Sequence, residues 1–142
     1  MTVYLCGGIN GLSDGAAKDW REQAKALLPY CTVLDPMRRD YRGGESANVN
    51  AIVSGDLEDI GACDALLVNA MRPSWGTAME IVYAHQAGKR IVAFTDAERL
   101  SPWLVFHCTR ICATLERAIE KLGDCNCGDG DVFDFLNCPM HS

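Results

Sequence analysis

The sequence predicts an α/β domain of the Rossmann-like or flavodoxin-like kind, a parallel sheet of about five strands with helices on both faces. Three observations carry that expectation. Short apolar runs alternate with segments of helical periodicity along the chain. The runs are apolar without interruption, as strands buried on both faces are. Most glycines and prolines fall between these segments rather than inside them.

Taken in order, "TVYLCGG" is an apolar run ending in glycines, a buried strand followed by a tight turn. Over residues 14–28, Ala17, Trp20, Ala24, Leu27 and Leu28 recur at helical spacing, and Pro29 ends that helix. "CTVLDP" gives a second strand. "MRRDYRGGESAN" is charged and glycine-containing, which predicts a mobile loop. A helix follows over residues 48–62, with Ile52, Val53, Leu57 and Ile60 as its buried stripe. "DALLVNA" is a third strand, with Asp64 at its entrance. Residues 77–87 form the next helix, closed by Gly88, and "RIVAF" the next strand. "SPW" lies in a loop, and a last helix is expected over residues 110–122. In such sheets ligands bind beyond the carboxyl ends of the strands. That rule directs attention to segments 6–12, 35–42, 69–80 and 94–107.

Composition narrows the function classes. Hydrophobic residues make up 49% of the 142 and charged residues 23%, the balance of a globular domain. The net charge of -6 argues against a nucleic-acid polymer as partner, since polymer binding leans on many cations. No apolar stretch approaches the length of about 18 residues that a membrane helix needs. The first residues begin a strand at once, without a basic region or apolar signal core, so the expected setting is the cytoplasm. A reducing compartment disfavours disulfides, and Cys6, Cys31, Cys63, Cys108 and Cys112 read as small hydrophobes in apolar or helical stretches.

The candidate chemistry is concentrated at a few positions. "GGINGL" after the first strand brings backbone amides close to a phosphate or sugar, or is a plain strand-to-helix turn. Thr77-Ala78-Met79-Glu80 fits a capping box, with Glu80 accepting from the Thr77 amide. The other reading of Glu80 is chemical. It follows a strand's carboxyl end beside a helix N-terminus, whose dipole favours the ionised form that a carboxylate nucleophile needs. Asp56 shares a helix face with Ile52 and Ile60 and so points inward, whereas Glu58 and Asp59 look solvated. Tyr4, buried in the first strand, needs a hydroxyl partner that a carboxylate can supply. Ser74 caps the helix or binds a hydroxyl or phosphate, and Trp75 is a lid or surface. His107 and Arg110 meet an anionic ligand or serve structure alone.

Residues 1–123 are thus read as the α/β domain and 124–142 as a Cys/Asp-rich tail. The tail holds Cys125, Cys127, Cys138 and His141, a Cys₃His zinc donor set whose spacing matches no zinc pattern. The alternative is an acidic tail with unpaired thiols, and no metal is assigned.

Together "YLCGGINGL", "GDLEDIGACDALLV" and "RPSWGTAMEIVYAHQAGKRIVAF" resemble, in that order, the nucleoside 2-deoxyribosyltransferase superfamily, over residues 3–94. "SPWLVFHCTRICATLERAIEKL" is similar to phage and bacterial members of the group. The resemblance implies cleavage of the N-glycosidic bond of a deoxynucleoside. The glutamate of the G-T-x-x-E-like helix, here Glu80, would attack C1′ to give a covalent deoxyribosyl-enzyme. The aspartate of the D-L-x-x-I element, here Asp56, would handle the base and its proton, and Tyr4 would hold the glutamate. Gly7, Gly8, Ile9, Asn10, Ser74, Trp75, Gly76 and His107 are the expected substrate contacts. No metal or organic cofactor is required. The implied partners are a nucleoside or nucleotide and a free base, with a homo-oligomer whose neighbouring subunit completes the pocket through a residue that no motif here locates.

Two departures keep alternatives open. "MRPSWG" lacks the aspartate that some transferases carry there, and "PSWG" resembles the "PSLG" of the 2-deoxynucleoside 5-monophosphate N-hydrolase branch, whose serine helps bind the 5′-phosphate. That branch also has an arginine in the first glycine loop, where this chain has Asn10. Cytokinin-activating phosphoribohydrolases share a G-T-x-x-E helix, but the P-G-G before it is absent here. Hydrolase and transferase therefore both stand, beside a nucleotide-binding sensor without turnover.

Overall fold

The computed structural model describes residues 1–123. The expected tail 124–142, with Cys125, Cys127, Cys138 and His141, lies outside the described residues. Five strands, β1 (Thr2–Cys6), β2 (Thr32–Leu34), β3 (Ala65–Asn69), β4 (Arg90–Phe94) and β5 (Arg110–Cys112), form one parallel sheet in the order β2-β1-β3-β4-β5. This is the flavodoxin-like order, and it has a topological switch point between β1 and β3.

Alternation along each strand sends side chains to two separate cores. Val3, Leu5, Ala65, Leu67, Val92 and Phe94 pack with Trp20, Ala24, Leu115, Ala118 and Leu122. Those partners come from helices α1 (Trp20–Leu27) and α5 (Leu115–Leu122). Tyr4, Cys6, Leu66, Val68, Ile91 and Ala93 pack on the other side with Ile60, Ile81, Ala84 and Leu104, from α2 (Val49–Ala62), α3 (Trp75–Gln86) and α4 (Pro102–His107). Tyr4 and Cys6 therefore share the face that α2 and α3 cover, and this one fact of register builds the site.

Several local expectations change. The segment expected as one helix over residues 110–122 begins as β5, paired with β4 from Val92↔Arg110 to Phe94↔Cys112. The β-branched residues Thr109 and Ile111 fit an edge strand, and Thr114 then caps α5 by accepting from the Arg117 amide at 3.2 Å. "SPW" is a helix start instead of a loop: Ser101 caps α4 and Pro102 takes its first position. Leu27, placed in the first helix's stripe, is exposed, as is Val53 in α2 (51%), while Asp59, expected in solvent, is buried. The inward side of α2 carries Ile52, Asp56, Leu57, Asp59 and Ile60, so Asp59 takes the place in the stripe that Val53 was expected to hold. The loop expected to be mobile contains two 3₁₀ turns, Pro36–Arg38 and Glu45–Ala47, and ion pairs tie it to α2 and to the first loop.

Candidate active site

A cleft of about 580 Å³ opens at the carboxyl ends of β1 and β3, over the switch point. Its floor is the glycine loop after β1. A Cβ on Gly7 would stand 2.9 Å from Trp20 Cζ2 and 3.3 Å from Asn69 Cβ, so a side chain there displaces the packing. Beneath the loop lies Arg21, fully buried. Its Nε donates to Ala17 O at 2.8 Å, Nη1 to Leu5 O at 2.8 Å and Nη2 to Gly7 O at 3.0 Å. Asp35 at the end of β2 sits 3.8 Å from the same guanidinium. Three carbonyl acceptors and one carboxylate make this buried charge tolerable and hold the loop open.

The far wall is the start of α3. Ser74 is in extended backbone and its Oγ accepts from the Thr77 amide at 3.5 Å, so the helix cap lies three residues before Thr77. The capping box expected at Thr77–Glu80 is therefore not formed, and Glu80 sits in the second turn, released from capping. Its Oε2 is buried without a hydrogen-bond partner among the described residues. Burial pushes the Glu80 carboxyl up from 4.5 to about 7; the Tyr4 hydroxyl opposes that rise, Asp56 adds to it, and Arg21 and the Cys6 thiol oppose it again. The helix-dipole argument for a fully ionised Glu80 is thus outweighed by desolvation, because the favourable field fades beyond the first turn. Tyr4 and Cys6 hold their own protons more tightly than usual, chiefly through burial, so both stay protonated near the carboxylate, with the Cys6 thiol 4.0 Å from the Thr77 carbonyl to which it donates.

Asp56 lines the same cleft from α2. Burial raises its proton affinity, and Arg39 pulls it back. Arg39 lies 3.4 Å from Asp56 Oδ1 and 2.7 Å from Asp59 Oδ2, while Arg38 holds both Asp59 oxygens at 2.7 and 2.8 Å. Arg42 bridges the two loops at the cleft's edge, donating to Leu12 O at 3.1 Å and pairing with Asp14 and Asp40.

Glu80, Asp56, Gly7, Gly8, Ile9, Asn10, Ser74, Trp75 and Gly76 all line this cleft, and Tyr4 acts on Glu80 from below. His107 does not join them. It lies in a neighbouring apolar groove of about 690 Å³ between α3 and α4, with Nδ1 2.7 Å from Trp103 O and its ring packed on Trp103, Phe106 and His85. Sequence reasoning missed Arg21, Arg39 and Arg42. Arg21 had one available signal: four residues after Ala17, it stands in the helix's buried stripe beside Trp20. Among the described residues, no group of three or more His, Cys, Asp or Glu is placed to hold a metal ion, and no helix there is long and apolar enough to cross a membrane.

The sequence matches the family model for nucleoside 2-deoxyribosyltransferase over residues 3–128. The chain belongs to the nucleoside 2-deoxyribosyltransferase family. It is accordingly an enzyme acting on N-glycosidic bonds, with small-molecule nucleosides or nucleotides and bases as its class of ligand. Three solved structures share the family member's α/β fold. One is the 2-deoxyribosyltransferase of the psychrotolerant Bacillus psychrosaccharolyticus, at a TM-score of 0.68 and 17% identity over 84% of this chain and 90% of that one. A second is a conserved protein of Enterococcus faecalis, at 0.66 and 18% over 85% and 96%. The third is a CMP N-glycosidase of Clostridium botulinum, at 0.58 and 18% over 86% and 98%. At such identities the likeness speaks for the fold. No curated protein matches the chain in sequence.

Proposed function

We propose that this family member is a nucleoside 2-deoxyribosyltransferase in which Glu80 is the nucleophile. One observation carries the reading: a buried carboxylate oxygen of Glu80 without a partner among the described residues, in a cleft at the switch point, with Tyr4 below it and Asp56 across from it. A desolvated carboxylate is poised to capture a centre that becomes electron-poor. In the first step a Glu80 oxygen bonds to C1′ as the C1′–N bond breaks, and the bond's electrons leave on the base nitrogen, which takes a proton from Asp56. In the second step a nitrogen of an acceptor base bonds to C1′, Glu80 departs as carboxylate, and Asp56 recovers a proton from the acceptor.

Arg42 and Arg72 line the same cleft as Ser74 at the α3 N-terminus. Cations beside free helix amides suit a 5′-phosphate and support a second reading, a 2-deoxynucleoside 5-monophosphate N-hydrolase in which water takes the sugar. A cytoplasmic homo-oligomer belongs to the same proposal. The free thiols of Cys6, Cys31, Cys63 and Cys108 support a reducing setting. The exposed rings of Trp75, Trp103 and Phe106, at 86%, 74% and 71%, support a contact between subunits.

The test is a chromatographic screen of deoxynucleosides and their monophosphates, with and without a second base. New nucleoside formation supports transfer. Base release unaffected by an acceptor, from monophosphates alone, replaces the first reading with the second. Equal turnover in wild type and Glu80→Ala rejects the assignment of the nucleophile, and no release from any substrate leaves a sensor.

A further inference from the structure

Asp56 does not stand alone in the cleft, and its setting goes beyond the pairing with Glu80. Arg39 follows the 3₁₀ turn after β2, and its guanidinium lies flat across Gly55: a Cβ there would meet Nε, Cζ and Nη2 at 3.1, 3.2 and 3.3 Å. From that position Nη2 reaches Asp59 Oδ2 at 2.7 Å and Asp56 Oδ1 at 3.4 Å. Asp59 is already held through both oxygens by Arg38. Its charge is therefore met without Arg39, and the second arginine is surplus to Asp59. For Asp56 no other ion pair is formed among the described residues.

We propose that Arg39 is a positioning residue for the reaction, fixing the direction of the Asp56 carboxyl and setting how readily it holds a proton, with Arg38 and Asp59 as the bracket that keeps its guanidinium in place. The inference rests on the reading of Asp56 as the group that passes the proton to and from the base. The groups facing Asp56 come from every element around it: Arg39 from the loop after β2, Asp59 on α2, Arg21 on α1, Glu80 on α3 and Tyr4 on β1. Arg39 and Arg21 favour the carboxylate, while burial and Asp59 favour the acid. Of these, Arg39 alone is both in contact with Asp56 and exposed enough at its cleft side to be exchanged without opening the core; its side chain is 27% accessible.

The experiment compares Arg39→Gln and Arg39→Lys with the full-length wild type. The Asp56 carboxyl is titrated by carbon-13 NMR, and base release is followed against pH. In Arg39→Gln the Asp56 midpoint rises by about one pH unit, and the alkaline limb of kcat moves up with it. Arg39→Lys keeps the charge without the planar fork, so its midpoint stays near wild type while kcat falls. In an Asp56→Asn background Arg39→Gln has no further effect on kcat, as residues acting through one another require. The inference is overturned by an unmoved Asp56 midpoint in a folded Arg39→Gln, or by an equal loss in both backgrounds. If Arg39→Gln does not fold, Arg39→Lys decides: kcat and pH profile both unchanged overturn the proposal. The NMR titration needs no turnover, so it stands or falls apart from the Glu80→Ala result.

Discussion

Two cavities share the wall formed by Met71 to Trp75 and Thr77, yet they are lined in opposite ways. The cleft over β1 and β3 gathers Glu80, Asp56, Arg39 and Arg42 around glycines. The groove between α3 and α4 gathers Leu100, Trp103, Leu104 and Ile81 around one histidine. The difference follows from topology. Only the cleft lies at the switch point, where neighbouring crossovers part and leave strand ends open. The groove lies beside α3, beyond β4, where helices cover the sheet. Polar groups converge where the fold leaves backbone accessible, and apolar surface gathers where two helices meet imperfectly.

The sharpest way to break this contrast is Glu80→Ala, expected to cut base release by roughly a thousand-fold or more. Asp56→Asn comes next. Loss of general acid–base help lowers kcat by about a hundred-fold or more, and least for substrates whose base leaves readily without protonation. Either variant at wild-type rate would move the chemistry out of the cleft.

A stability measurement sharpens the same point. The Glu80 carboxyl keeps its proton to about 7 in the fold against an ordinary 4.5. The unfolded chain releases that proton first, so stability falls as pH rises from about 4.5 to about 7 and is level above. Glu80→Gln removes this slope and gains about 3 kcal/mol above pH 7, read as a higher Tm under alkaline conditions and no difference in acid. Turnover in the wild type falls as pH drops below about 7, where Glu80 takes up its proton. The smallest effect is on the groove side. His107→Ala leaves kcat/KM within about two-fold of wild type, as a substitution remote from the reacting atoms does.

Much of this was legible in the sequence. Alternation fixed the layers, and the helical spacing of Ile52, Asp56 and Ile60 turned Asp56 inward. The cap reading of Ser74 located the entrance of α3, where the S/T-x-x-E match at Thr77 did not. Short edge elements were harder: three residues suffice for β5 because β4 supplies the pairing, and no local periodicity reveals that. His107 is near the expected strand ends in sequence, but α4 turns it toward α3 instead. The arginines were hidden for another reason. Apart from Ala17 beneath Arg21, the acceptors that place Arg21 and Arg39 lie 14 to 20 residues away in the chain, and composition at the arginine itself carries no trace of that.

The bare backbone of Gly55 has a consequence for anyone wishing to toughen this enzyme. Helix α2 contains two glycines, and replacing either with alanine promises about 1 kcal/mol from helix propensity. At Gly61 the added methyl group meets open space, and the gain is realised. At Gly55 it pushes against the Arg39 guanidinium at 3.1 to 3.3 Å, so heat resistance is exchanged for a displaced cation beside Asp56. Two chemically identical substitutions, six residues apart, separate a scaffold improvement from a retuned catalyst.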